Sequence, residues 1–185
     1  MRKNLGAKAI LYPMPVLIIG TYDEDGMANA MNAAWGGISE ETEISICVDD
    51  SHKTAENVVK AGAFTVSVAD KNNLIPADYV GIVSGNKEKN KIEKSGWTPA
   101  KSEYVNAPLF AELPFTLECK LKSYDKESCR LVGEIVNISV DESILTEGKI
   151  DLDKFAPITY DPVGHTYRTI GEIVGRAFSD GKSLK

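Results

Sequence analysis

The stretch Asp49-Asp50-Ser51-His52-Lys53-Thr54-Ala55-Glu56-Asn57 packs hydroxyls, cations and carboxylates into nine residues. It follows a strand-like segment, 43–48, and opens a helix-like one, 54–61, which Gly62 can close. Ser51 or Thr54 is a suitable N-cap, and a glutamate soon after the cap supports a helix start there. The first amides of a helix lack internal partners and lie at the positive end of its dipole. Surrounded by Ser51, His52, Lys53 and Thr54, such amides can hold a phosphate without a P-loop. The same residues also make an ordinary capped helix with a solvated lysine, and residue types alone do not separate the two readings.

A second stretch is Asn29-Ala30-Met31-Asn32-Ala33-Ala34-Trp35-Gly36-Gly37. Its small residues let a flat ligand approach the backbone, and Asn29 and Asn32 offer donors and acceptors to a ring edge. Trp35 offers apolar or stacking surface. Gly36-Gly37 permits an unusual turn. Taken alone, the stretch is also a core strand ending in a flexible turn. A third, Tyr160-Asp161-Pro162-Val163-Gly164-His165-Thr166-Tyr167-Arg168, is aromatic and polar. Its His165 and Tyr167 could cover a ligand edge, or the whole could be an ordered surface loop.

Other chemistries lack their residues. The two histidines, His52 and His165, stand far apart with no companion metal motif, so no metal site is expected. HExxH, GxSxG and GxGxxG are absent. Cys47, Cys119 and Cys129 form no CxxC and are odd in number, as expected of reduced thiols in a cytoplasmic protein. A net charge of -6 argues against an extended nucleic-acid surface. The apolar run 9–20 is interrupted by Pro13 and Pro15, and no run reaches the roughly 20 residues of a membrane span.

The elements that must position these residues are mostly strands. Segment 16–22 is β-rich and ends at Asp23-Glu24-Asp25-Gly26, a hairpin signal, with 27–34 returning. Segments 43–48 and 64–68 alternate, with Ile44, Ile46 and Val48 on one face. Longer strands are expected over 115–124 and 131–140, around a polar turn at 125–128. Helices are expected over 54–61, 75–84 and 87–94. Antiparallel strands with a few inserted helices predict a single domain, 1–185, that is mainly β and built as a closed or split barrel. No strand–helix–strand alternation supports a Rossmann sheet.

Together these stretches resemble the flavin reductase-like family, and its flavoredoxin branch in particular, over about residues 12–182. The carriers are Tyr12-Pro13-Met14-Pro15-Val16, Asp25-Gly26-Met27-Ala28-Asn29-Ala30-Met31, Ser51-His52-Lys53-Thr54-Ala55-Glu56-Asn57, Ala77-Asp78-Tyr79-Val80-Gly81-Ile82-Val83-Ser84-Gly85 and the tail from Gly171-Glu172 through Val174-Gly175-Arg176-Ala177-Phe178. The resemblance implies a six-stranded antiparallel FMN-binding split β-barrel, a homodimer with FMN near the interface. It implies that Ser51, His52, Lys53 and Thr54 hold the FMN phosphate. Asn29, Ala30, Met31, Asn32, Ala33, Ala34 and Trp35 would run along the isoalloxazine, mostly through backbone groups, and the loop of His165 and Tyr167 would close over it. The chemistry would belong to the cofactor, with no catalytic side chain named. The expected function is electron transfer, as an NAD(P)H-dependent flavin reductase drawing on NADH or NADPH. The alternatives are a flavoredoxin-type carrier with a redox partner protein, or a module that holds a planar ligand without turnover.

Overall fold

The computed structural model describes all 185 residues. Its strands are β1 (Met14–Pro15), β2 (Leu17–Tyr22), β3 (Ala28–Ala33), β4 (Gly36–Glu40), β5 (Glu43–Cys47), β6 (Ala63–Val68), β7 (Pro99–Lys101), β8 (Pro108–Phe110), β9 (Phe115–Asp125), β10 (Arg130–Val140), β11 (Leu145–Thr146), β12 (Lys149–Ile150), β13 (Ile158–Asp161) and β14 (Thr166–Thr169). The helices are α1 (Lys53–Ala61), α2 (Leu74–Ile82), α3 (Lys91–Ser95) and α4 (Leu152–Phe155). None is long and apolar enough to cross a membrane.

The main sheet runs β3-β2-β6-β9-β10-β5-β4, with every pair antiparallel. Its two edge strands, β3 and β4, are consecutive in the chain and separated only by Ala34 and Trp35. They act as one bent strand, whose first half pairs with β2 and whose second half pairs with β5. The sheet therefore curls until its edges meet at Ala34-Trp35, and with β3 and β4 counted as one strand it is a six-stranded split barrel. The Cys47 amide donates to the Trp35 carbonyl at 2.8 Å and carries the ladder up to that junction.

Alternation decides what fills the barrel. Leu17, Ile19, Met31, Ile44, Ile46, Val48, Phe64, Val66, Leu117 and Leu131 meet inside it, and α1 closes one end with Ala55 and Val58. The other face of β2 and β3 offers Ile18 and Ala30, with Val16 just before β2, to Ala77 and Val80 of α2 and to Trp97 and Phe110. Strand β2 is thus buried on both faces, which explains its unbroken apolar run. A Cβ at Gly133 of β10 would lie 2.3 Å from Phe64 Cζ and 3.2 Å from Cys119 Cβ. Gly133→Ala is therefore expected to cost about 1–3 kcal/mol through overpacking. An unshifted denaturation midpoint would show that the Phe64 ring can give way.

Several expectations are corrected. Neither Ser51 nor Thr54 caps α1: its N-cap is His52, with no side-chain cap bond. Ser51 Oγ donates instead to Asp49 Oδ1 at 2.6 Å, and Thr54 Oγ1 accepts from Asn29 Nδ2 at 3.1 Å. Gly36-Gly37 makes no turn but begins β4, where a Cβ on Gly36 would sit 2.9 Å from Ile46 Cγ1. The glycine serves close strand approach. The helix expected over 87–94 is only Lys91–Ser95, because Glu88 Oε1 accepts the Asn90 amide at 3.0 Å and holds the preceding residues in a turn. Residues 160–168 form no free loop but the β13–β14 hairpin. Asp161 Oδ1 takes the amides of Val163 (2.9 Å) and Gly164 (3.1 Å), which folds the turn tightly.

Candidate functional site

Helix α1 begins where strand β5 delivers the chain to the barrel end. Its His52 carbonyl accepts the amides of Ala55 (3.0 Å) and Glu56 (3.4 Å), while the amides of Lys53 and Thr54 have no backbone partner. Thr54 is buried and Lys53 half-buried. Both residues line a cavity of about 300 Å³, together with Asn29, Met31 and Asn32 of β3, His52, residues 80–85 and Lys91.

Lys91 is the charged wall of this cavity. It is 4% exposed and forms no salt bridge, and burial pushes its ammonium down to about 8. An unpaired buried cation is costly unless an anion joins it. Lys53 adds a second ammonium, held 3.2 Å from Glu56. Free amides, Lys53 and Lys91 therefore converge on a place suited to a phosphate.

The edge of β3 forms the middle of the groove. The Ala69 amide donates to the Val16 carbonyl at 3.0 Å, so even-numbered residues of β2 bond to β6 and odd-numbered ones to β3. In the register Leu17↔Ala33, Ile19↔Met31 and Thr21↔Asn29, the main-chain groups of Ala28, Ala30 and Asn32 then point away from β2 onto the open edge. Facing them is the end of α2. A Cβ at Gly81 would lie 3.0 Å from Asn32 Cβ, and one at Gly85 would lie 2.5 Å from Asn29 Oδ1. These two glycines form a cradle that side chains would fill.

A second cavity of about 460 Å³ shares Asn32, Gly81 and Ile82 with the first and continues to Ala34, Asp78, Tyr160, His165 and Tyr167. Here the hairpin is pinned. Tyr167 OH donates to Asp78 Oδ1 at 2.7 Å, and Tyr160 OH meets His165 Nδ1 at 3.0 Å. Burial, then the Asp78 bond, pushes the Tyr167 phenol up to about 12. Tyr12 OH donates to Asp161 Oδ1 at 2.7 Å, and that bond leads in holding the Asp161 carboxyl down at about 2. His165 itself has φ 50, a left-handed conformation that non-glycine residues seldom keep without tertiary support. Beyond Ala34 an apolar hollow of about 440 Å³ joins Trp35 to residues of the N-terminal segment, among them Pro13 and Pro15.

The structure thus brings Asn29, Met31, Asn32, His52, Lys53 and Thr54 together, and joins Ala34, His165 and Tyr167 to them through Asn32. Trp35 lies at the far end and is 60% exposed. Ala30 buries its side chain and can offer only its outward main chain, while Ala33 buries its side chain inside the barrel and spends its main chain on Leu17 of β2, so it offers the groove neither. Ser51 lines none of these cavities; its carbonyl accepts from Asn86 Nδ2 at 3.1 Å. Sequence reasoning missed Asp78, Gly81, Gly85 and Lys91 as wall residues. The glycines at the end of an apolar helical run were the available signal. Lys91 gave none, because a charge run reads as a solvated face. Of the thiols, Cys119 lies inside the barrel, where burial raises it to about 12 and leaves it unreactive.

A cationic end, a backbone edge and an aromatic end lie along one groove. An elongated molecule with a phosphate at one end and a flat heteroaromatic ring at the other fits that order, and FMN is such a molecule. Comparison with known proteins agrees. The chain is similar to the flavoredoxin of Desulfovibrio vulgaris (Miyazaki F), with TM-score 0.93 and 38% identity over 98% of this chain and 100% of the other. It is similar to the flavoredoxin from Methanosarcina acetivorans, with TM-score 0.87 and 28% identity over 100% and 98%. An uncharacterized protein of Aquifex aeolicus (strain VF5) is 25% identical over 162 residues, 80% of this chain and 81% of that protein. The family model for the flavin reductase like domain matches residues 9–168, and the chain belongs to that family.

Proposed function

We propose that this protein binds FMN in the groove between β3 and α2 and works in electron transfer as a flavin reductase, taking hydride from NADH or NADPH. The observation that carries this reading is the continuity of the groove from the free amides of Lys53 and Thr54 to Tyr160, His165 and Tyr167. Lys53, Thr54 and Lys91 would hold the phosphate, and the outward main chain of Ala30 and Asn32 would meet the ring edge. Bound FMN supplies the hydride and electron chemistry. The chain orients it and keeps water from one side of the groove.

A second reading, a flavoredoxin-type carrier that passes electrons to a partner protein, is supported by the 38% identity to a flavoredoxin. We further propose a cytoplasmic homodimer. Its support is the exposure of Ile173, Val174 and Phe178 on the C-terminal arm, each above 90%.

The test is the visible spectrum of the purified protein, recorded without oxygen before and after adding NADH or NADPH. A flavin spectrum that bleaches with a nicotinamide supports the reductase. One that persists until dithionite is added supports the carrier. No flavin, and none taken up when FMN is offered, would reject the FMN reading.

A further inference from the structure

Strand β5 ends at the exposed Cys47, and the turn between β9 and β10 ends at the half-buried Cys129. The β5–β10 ladder brings the two together. Cys47 stands directly opposite Arg130, and one step on the Val48 amide donates to the Cys129 carbonyl at 2.7 Å. Facing residues of such a ladder lie about 5 Å apart and successive ones about 3.3 Å, which puts the two Cα atoms about 6 Å from each other. A disulfide spans that distance. Regular alternation would send the two side chains to opposite faces, but Cys129 leaves the regular conformation. Asp125 accepts the Glu127 amide at 3.0 Å and the Ser128 hydroxyl at 2.7 Å, and this turn delivers Cys129 at φ 56. A left-handed cysteine persists only where its surroundings fix it. Here its Sγ lies 3.9 Å from Oδ2 of Asp49, two residues past Cys47. Tyr124 ties the same corner from β9, its hydroxyl donating to the Val48 carbonyl at 2.8 Å.

We propose that Cys47 and Cys129 form a modification site, oxidised to an intramolecular disulfide by a low-molecular-weight disulfide of the glutathione class. Cys47 attacks first, because it is the exposed thiol of the pair. Its thiolate bonds to one sulfur of the oxidant and expels the other as a thiolate. The Cys129 thiolate then attacks Cys47 Sγ in the mixed disulfide and expels the second thiolate. The protein gives up two electrons and two protons, and the oxidant leaves as two thiols. Burial, then the charges of Asp49 and Cys47, push the Cys129 thiol up, which makes it a poor nucleophile toward a free reagent. Held beside Cys47, it needs only an intramolecular step. The product staples the end of β5 to the β9–β10 turn. It closes a loop of about 80 residues, and closure of so long a loop stabilises the fold. In a reducing compartment such a bond is transient and follows the thiol–disulfide balance. Cys119, inside the barrel, takes no part.

The experiment is thiol trapping of the full chain after equilibration in mixtures of oxidised and reduced glutathione, read by intact mass and peptide mapping. Oxidation is expected to lower the mass by two hydrogens and to give a Cys47–Cys129 cross-link that dithiothreitol reverses. Cys129→Ser should instead stop at a glutathione adduct on Cys47. The oxidised chain should unfold at a higher denaturant concentration than the reduced one, and Cys47→Ser should show no such difference. A lasting glutathione adduct on Cys47 of the unaltered chain, a covalent dimer through Cys47, or an unchanged thiol count in excess oxidised glutathione would each overturn the assignment.

Discussion

Replacing both Lys53 and Thr54 with Ala should weaken FMN binding by about 2–4 kcal/mol, if Lys53 makes a charge-assisted phosphate bond worth about 1.5–3 and Thr54 an ordinary hydrogen bond worth about 0.5–1. That corresponds to a roughly 30- to 700-fold rise in Kd. The expectation rests on the arrangement at the start of α1. The Lys53 ammonium lines the groove, and the neighbouring amides are free because no side chain caps the helix. Thr54 needs care, since its hydroxyl accepts from Asn29 Nδ2. Its loss would free the Asn29 carboxamide as well as a phosphate donor. A parallel Thr54→Ser variant keeps that bond and should retain most of the affinity. Titration of apoprotein with FMN measures both, and an unchanged Kd in the double variant would remove the phosphate from this end of the groove.

The second large effect concerns Lys91 and has a defined pH signature. Burial lowers its pKa from 10.5 to about 8, so the folded protein disfavours the charged form. The sign follows from linkage. Below pH 8 the ammonium is charged in both folded and unfolded chains, and the full burial cost is present; it fades as pH rises from 8 to 10.5. The ceiling on that cost is about 3 kcal/mol, from 1.36 kcal/mol per pKa unit. Lys91→Met should therefore raise the stability of the empty protein at pH 7, by up to that amount.

A phosphate dianion beside Lys91 reverses the preference and draws its pKa back up. FMN affinity should then be level between pH 7 and 8 and fall as pH rises above 8, approaching tenfold per unit. The phosphate itself, with a second pKa near about 6, does not titrate in that range. In Lys91→Met the affinity should be weaker at pH 7 and flat with pH. A substitution that stabilises the empty protein while weakening its ligand separates a binding role from a packing role. A flat profile from pH 7 to 10 in the unaltered protein would show that Lys91 does not face the phosphate.

Much of the fold is legible in short stretches because its causes are local. Gly62 ends α1 at φ 67, where a side chain would be strained. Asp23-Glu24-Asp25-Gly26 turns β2 into β3 with Gly26 at φ 77, and Asp23 Oδ1 holding the amides of Asp25 and Met27. The alternation of Ile44, Ile46 and Val48 puts all three inside the barrel. Local chemistry also marked the start of α1 and the end of β3 as places where a ligand could be held, and their order along the chain was enough to suggest the family.

Other features depend on residues that meet only after folding. Nothing near Ala34-Trp35 says that β3 and β4 are opposite edges of one sheet; that follows from where β5 and β2 lie. Capping was misjudged because Ser51 and Thr54 find Asp49 and Asn29, and Asn29 lies 25 positions from Thr54. Lys91 looks solvated in a run of charges and is buried because α3 packs beside β3 and α2. Asp78 reaches Tyr167 across 89 positions. The long strands of the barrel, the β2–β3 turn and the three stretches that line the groove are written in local sequence. That they form one groove is a property of the folded chain, because the contacts that join them are between side chains and backbone edges with no relation in spacing, brought together by closure of the barrel.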